Sequence, residues 1–230
     1  GGMGGMGGMG GMGGMGGMLL RIRTRLVDVP AHTAKACSAA SQDSERDRPK
    51  CCSHRAMNLY LIGYRGTGKS TVARLVADSL DRPWRDADAL LEERAGQTIR
   101  AIFAAEGEAG FREREAAILR ELDREDGLVV ATGGGVILRE DNRAILGRGK
   151  AVWLTASAER LWDRLQADAT TGERRPNLSG GGLEEIRELL AVRAPHYQAC
   201  ADLAVATDHR SPAEVAALVA DWFRNTTQET

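Results

Sequence analysis

The chain has 230 residues, 43% of them hydrophobic, with 31 Lys and Arg against 32 Asp and Glu and a formal charge of −1. That near balance argues against a broad basic surface for nucleic acid, and no apolar run reaches the ~18 residues a membrane span needs. Of the four cysteines only Cys200 lies beyond residue 52, so neither a disulfide framework nor the ligand spacing of a zinc site is present.

The composition changes at Met57. Residues 1–18 are six copies of Gly-Gly-Met, and residues 19–56 carry eight Lys or Arg against four Asp or Glu with little apolar surface. Residues 1–56 are therefore expected to be a disordered, low-complexity extension. Its acids and glycine repeat speak against an organelle transit peptide, so it reads as dispensable. Residues 57–230 hold 23 basic and 28 acidic residues and show regular periodicity over a length that suits one α/β domain.

The apolar run Leu59–Ile62 predicts a first strand, followed at residues 63–70 by Gly-Tyr-Arg-Gly-Thr-Gly-Lys-Ser. This G-x-x-x-x-G-K-S pattern is a phosphate-binding loop. Its glycines let successive N–H groups point at phosphate oxygens, Lys69 reaches the β- and γ-phosphates, and Ser70 serves Mg²⁺. Val72, Leu75, Val76 and Leu80 recur at helical spacing behind it, as a crossover helix requires.

A second strand at residues 83–85 runs into Asp86-Ala87-Asp88. At the carboxyl end of a parallel strand both acids face the crevice beside the phosphate loop, where one serves Mg²⁺ and the other accepts a proton from a hydroxyl. Asp88 equally fits the N-cap of the helix that follows. Arg112 is expected to open a helix bearing Phe111, Ile118 and Leu122. A third strand at residues 128–131 ends in Thr132-Gly133-Gly134-Gly135, which brings bare backbone close to a small ligand where other phosphate-loop proteins often place an acid.

A fourth strand is expected at residues 151–154. Residues 167–182 then turn polar and glycine-rich around Arg174 and Arg175, the composition of a mobile flap over phosphates. A helix follows over about residues 183–192 with Arg193 near its end, then a fifth strand at Leu203–Ala206. Ser211-Pro212-Ala213-Glu214 forms a capping box opening a last helix whose stripe Val215, Leu218, Val219, Trp222 and Phe223 is core. Arginines converging on the crevice would bind a carboxylate and neutralise phosphoryl charge, although a surface ion pair is the default for any one of them.

Taken together, Gly63 to Ser70, Asp86-Ala87-Asp88, Phe111-Arg112, Thr132 to Gly135, Arg175-Pro176 and Arg193-Ala194-Pro195 make residues 57–230 resemble shikimate kinase, with six motifs in order. The resemblance implies a P-loop kinase fold, an α/β five-stranded parallel sheet of order 2-3-1-4-5 flanked by helices, with a mobile lid. It implies transfer of the γ-phosphoryl of ATP to the 3-hydroxyl of shikimate. Gly66, Thr67, Gly68, Lys69, Ser70, Thr71, Arg175 and Arg210 would contact ATP, and Ser70 and Asp86 would serve Mg²⁺. Asp88 would meet the reacting hydroxyl with Lys69 and Arg175 as the other catalytic groups. Arg112 and Arg193 would bind the carboxylate and Gly133, Gly134 and Gly135 would line the acceptor pocket. Trp84 departs from the family's usual Phe, Asn177 from an apolar residue, and His196 reads as surface or packing. A gluconate-type kinase would not keep Arg112, the three glycines and Arg193 together, and a silent nucleotide-binding module would not keep Lys69, Asp88 and Arg175. The expected setting is a cytoplasmic monomer acting on shikimate and ATP, without nucleic acid or membrane.

Overall fold

The computed structural model describes residues 56–167 and 182–228. The extension, apart from Ala56, and the flap with Arg174 and Arg175 lie outside the described residues. Five strands, β1 (Leu59–Ile62), β2 (Trp84–Asp86), β3 (Val129–Ala131), β4 (Lys150–Thr155) and β5 (Leu203–Ala206), form one sheet of order β2-β3-β1-β4-β5. All four pairings are parallel, with Leu59 opposite both Val129 and Lys150 in the centre. This is the order the resemblance implied.

Alternation along the strands sends side chains to two cores. Leu59, Leu61, Val129, Ala131, Val152 and Leu154 meet Val72 and Val76 of α1 (Lys69–Leu80) and Val215, Val219 and Phe223 of α7 (Pro212–Gln228). Tyr60, Ile62 and Val130 point the other way, into Leu91 of α2 (Ala87–Ala95) and Phe111, Ile118 and Leu122 of α3 (Ile99–Leu122). Burial on both faces is why β1 and β3 read as continuous apolar runs. Each fully buried Leu, Val or Phe contributes about 1.5–3 kcal/mol. Trp84 packs at the edge of the α1 and α7 core.

The capping box forms as expected: Ser211 N–H and its hydroxyl donate to Glu214 Oε2 at 2.8 Å, and Glu214 N–H donates back to Ser211 Oγ at 3.3 Å. Two helices differ from expectation. Arg112 does not open its helix, because α3 starts at Ile99 and is broken at Gly107 (φ 68°, ψ −172°), leaving Arg112 on the second segment. The helix expected to end near residue 192, α6 (Leu183–Cys200), continues through Pro195. An interior proline costs about 3 kcal/mol, but the turn beyond it carries Tyr197, fully buried and stacked on Trp153 at 5.6 Å between ring centroids. That packing holds the helix past the break. α4 (Glu140–Leu146) and α5 (Ala158–Ala167) complete the layers.

Candidate active site

Every predicted site residue within the described segments lies at, or packs onto, the carboxyl edge of the sheet, where an open parallel sheet holds its ligands. The phosphate loop leaves β1 and ends in Gly68, which caps α1 with φ 87°, a left-handed conformation that favours glycine. Lys69 Nζ donates to the carbonyls of Gly63 (2.9 Å) and Tyr64 (2.8 Å), so the lysine shapes the loop it serves. Thr67 is buried, and its hydroxyl donates to Tyr64 O at 2.8 Å. Its side chain therefore braces the loop, while Ser70 and Thr71 at the start of α1 are exposed.

A cleft of about 640 Å³ opens beside the loop, lined by Gly66, Gly68, Thr71, Arg164, Thr207 and Arg210. Arg164 was not singled out in the sequence. From α5 its guanidinium donates to Gly66 O (3.2 Å), Thr207 Oγ1 (3.0 Å) and Thr207 O (2.6 Å), tying the loop to the end of β5. Burial lowers its pKa from the ordinary guanidinium value, with neighbouring Arg160 acting in the same direction. Spacing on α5 was the available signal, since Arg160 and Arg164 share one helix face.

Asp86 settles the question left open at β2. Its Oδ1 accepts from the N–H of Asp88 (3.0 Å) and Ala89 (3.1 Å), making Asp86 the N-cap of α2. Asp88 is not the cap; it sits half-buried in the first turn. The second Asp86 oxygen, Oδ2, accepts from the Ser70 hydroxyl. A hydroxyl and a carboxylate oxygen thus meet where the loop and β2 converge, the hard-oxygen donor set that suits Mg²⁺. Among the described residues no cluster of three His, Cys, Asp or Glu forms a metal cage. Mg²⁺ does not require one, because it takes one or two protein oxygens along with phosphate and water.

The other half of the site is built on Gly133, Gly134 and Gly135. A Cβ added to Gly135 would lie 2.2 Å from Arg112 Nη1 and 2.5 Å from Arg112 Cζ, so only glycine lets the guanidinium rest on this backbone. Arg112 is held by Glu115, itself buried, at 2.8 Å from Nη1, and by Glu108 at 3.1 Å from Nη2 and 3.4 Å from Nε. Of its five N–H donors, one on each terminal nitrogen remains for a ligand. Glu115 and Glu108 stand three and four residues from Arg112, the helical spacing that a reading of the motif alone passes over.

Gly134 abuts the phosphate loop. Its missing Cβ position is 3.4 Å from Arg65 N and from Gly63 O. Its carbonyl accepts from the buried Tyr197 hydroxyl on α6. Burial pushes the Tyr197 pKa well above its usual value, so the hydroxyl stays a proton donor. One turn earlier on α6, Arg193 lies with Cζ 5.7 Å from the Tyr64 ring centroid, and Arg65 Cζ is 5.8 Å from the same ring. The structure therefore gathers Arg112, the glycine run, Tyr64 and Arg193 around one corner of the phosphate loop. Arg210 lines the far end of the cleft, where it donates to Ala206 O at 3.0 Å.

Residues 65–224 match the family model described as shikimate kinase. The chain is 47% identical over 163 residues to the shikimate kinase of Rhodopirellula baltica, spanning 70% of this chain and 87% of that protein. It is 46% identical over 163 residues to the shikimate kinase of Symbiobacterium thermophilum, spanning 70% and 92%. It is also similar to the solved structure of the Acinetobacter baumannii shikimate kinase in complex with shikimate, with a TM-score of 0.70 and 36% identity over 74% of this chain and 94% of that one. The phosphate loop, the glycine run under Arg112 and the matched length agree: the chain belongs to the shikimate kinase family.

Proposed function

We propose that ATP occupies the cleft between the phosphate loop and the end of β5, with shikimate beside it on Gly133, Gly134 and Gly135. The enzyme is an ATP-dependent kinase that transfers the γ-phosphoryl of ATP to the 3-hydroxyl of shikimate. One observation supports this arrangement most. Gly134 packs directly on Gly63 and Arg65, so a ligand lying on the glycine run meets the γ-phosphate end of the cleft. The free N–H groups of Arg112, together with Arg193, suit an acceptor carboxylate that fixes the ring and presents a hydroxyl in line.

In this reading Asp88, two residues from the Asp86 cap, orients the hydroxyl and takes its proton. The hydroxyl oxygen bonds to the γ-phosphorus while the bond to the bridging oxygen breaks, and ADP leaves. Lys69 and Arg175 offset the charge on the phosphoryl oxygens, and the N–H groups of residues 66–71 cradle the phosphates. Arg210 lies beside the base. Ser70 and Asp86 would hold Mg²⁺, which when bound neutralises phosphate charge. The same reading takes the chain as a cytoplasmic monomer with no nucleic-acid or membrane partner. The net acidity of residues 57–230 supports the lack of a nucleic-acid partner, and among the described residues no helix is long and apolar enough to cross a membrane.

The test is ADP release with Mg²⁺ and ATP in the presence of shikimate, gluconate or no acceptor. Release stimulated by shikimate alone is the expected result. Equal release in all three, from protein that binds ATP, would reject the acceptor.

A further inference from the structure

The three glycines use their carbonyls and N–H groups differently. Gly133 O accepts from Val136 N–H at 3.3 Å, Gly135 O from Leu138 N–H at 3.0 Å, and Gly134 O from the Tyr197 hydroxyl. All three carbonyls are thus engaged within the protein. Among the described residues none of the three N–H groups has a partner. The run therefore presents three unpaired donors, while each of its carbonyls already accepts one bond.

The carbonyl of Gly134 and the N–H of Gly135 belong to one planar, trans peptide unit, so fixing the oxygen on one side fixes the N–H in the opposite direction. A peptide between two glycines would otherwise rotate easily, because neither residue has a Cβ to oppose it. Val136 and Leu138 hold their carbonyls by local turn bonds. The Gly134 carbonyl is instead held from a different element, by a side chain whose ring is stacked on Trp153 with an interplanar angle of 18°. Tyr197 also stands one helical turn after Arg193, so the amide and the guanidinium are set from the same helix.

We infer that Tyr197 is a positioning residue for the transfer reaction: by holding the Gly134 carbonyl it locks the Gly134–Gly135 peptide with the Gly135 N–H aimed at an oxygen of the acceptor, beside Arg112. This rests on the glycine run being the acceptor subsite. Tyr197 does not touch the acceptor; it acts through the peptide it fixes.

The experiment uses the full chain labelled with ¹⁵N-glycine, unaltered and as Tyr197→Phe, which keeps the ring and removes the hydroxyl. In the unaltered protein shikimate shifts the Gly135 amide resonance. In Tyr197→Phe the KM for shikimate rises about tenfold, the size expected for one lost buried hydrogen bond, while the KM for ATP stays within twofold and the Gly135 shift shrinks. A shikimate KM within twofold of the unaltered value, or a rise in both KM values together, would overturn the inference. Should Tyr197→Phe fail to fold, the unaltered protein still decides, because a shikimate response at Gly133 or Gly134 without one at Gly135 also overturns it. No response at any of the three glycines would instead remove the acceptor subsite itself, and the inference with it.

Discussion

Replacing Gly135 by alanine tests the acceptor corner with one methyl group. The new Cβ would stand 2.2 Å from Arg112 Nη1 and 2.5 Å from Cζ, where non-bonded heavy atoms settle near ~3.5 Å. The guanidinium must withdraw by roughly 1 Å, a displacement that can cost on the order of a hundredfold in a positioned reaction. The backbone has no such conflict, since the obstructing atoms are the far end of a flexible side chain. Withdrawal strains the bonds of Arg112 to Glu115 (2.8 Å) and Glu108 (3.1 Å). Loss of aim at a charge-assisted contact is worth about 1.5–3 kcal/mol, or about 10- to 150-fold. Gly135→Ala should therefore lower kcat/KM for shikimate about 10- to 100-fold, mainly through KM, with the KM for ATP unchanged. Steady-state ADP release with each substrate varied at saturating partner measures both. In an Arg112→Ala background the obstacle is gone, so the added methyl should cost little more. Full shikimate kcat/KM in Gly135→Ala, or the same loss in both backgrounds, would refute the reasoning.

Asp88→Asn should reduce kcat by about two orders of magnitude or more while ATP binding, followed by calorimetry, is retained; an unchanged kcat would remove Asp88 from the proton step. Arg164→Ala frees both Gly66 O and Thr207 O and should raise the KM for ATP severalfold while the KM for shikimate holds, whereas a rise confined to shikimate would contradict its place in the nucleotide cleft. Glu214→Ala breaks the capping box of α7 and should cost about 1 kcal/mol, read as a Tm lower by about 2–5 °C with normal turnover. An unchanged Tm would mean that the apolar stripe alone sets the start of that helix.

Strand β1 was legible to the residue because a parallel strand buried on both faces must be apolar throughout, and β5, an edge strand, was legible because it is apolar throughout and bounded by polar residues. The phosphate loop was equally plain, since its chemistry is local. Arg112 and the glycine run were legible as pieces, but their contact joins residues 112 and 135, and no spacing rule connects a helix face to a strand end. Arg164 escaped because its three acceptors lie on two distant segments. The helix bearing Arg193 runs past the end expected near residue 192 because the burial of Tyr197, a tertiary contact, outweighs the local cost of Pro195. The cap at β2 was left open for Asp88 and falls on Asp86, because the two acids are chemically identical and only backbone geometry tells them apart.

Asp86 divides its two oxygens between a helix and the phosphate loop, one capping α2 and the other meeting Ser70. The helix it caps carries Asp88 in its first turn, so under the proposed function the acid assigned to the acceptor hydroxyl hangs from a carboxylate whose other oxygen meets Ser70 of the phosphate loop. Any event that draws Asp86 Oδ2 aside also tugs on the frame that aims Asp88. Under the proposed function the nucleotide half and the acceptor half are geared together through a single side chain, and Asp86→Ala would release the α2 cap as well as the contact with Ser70. A loss of rate in that variant reports on two places at once.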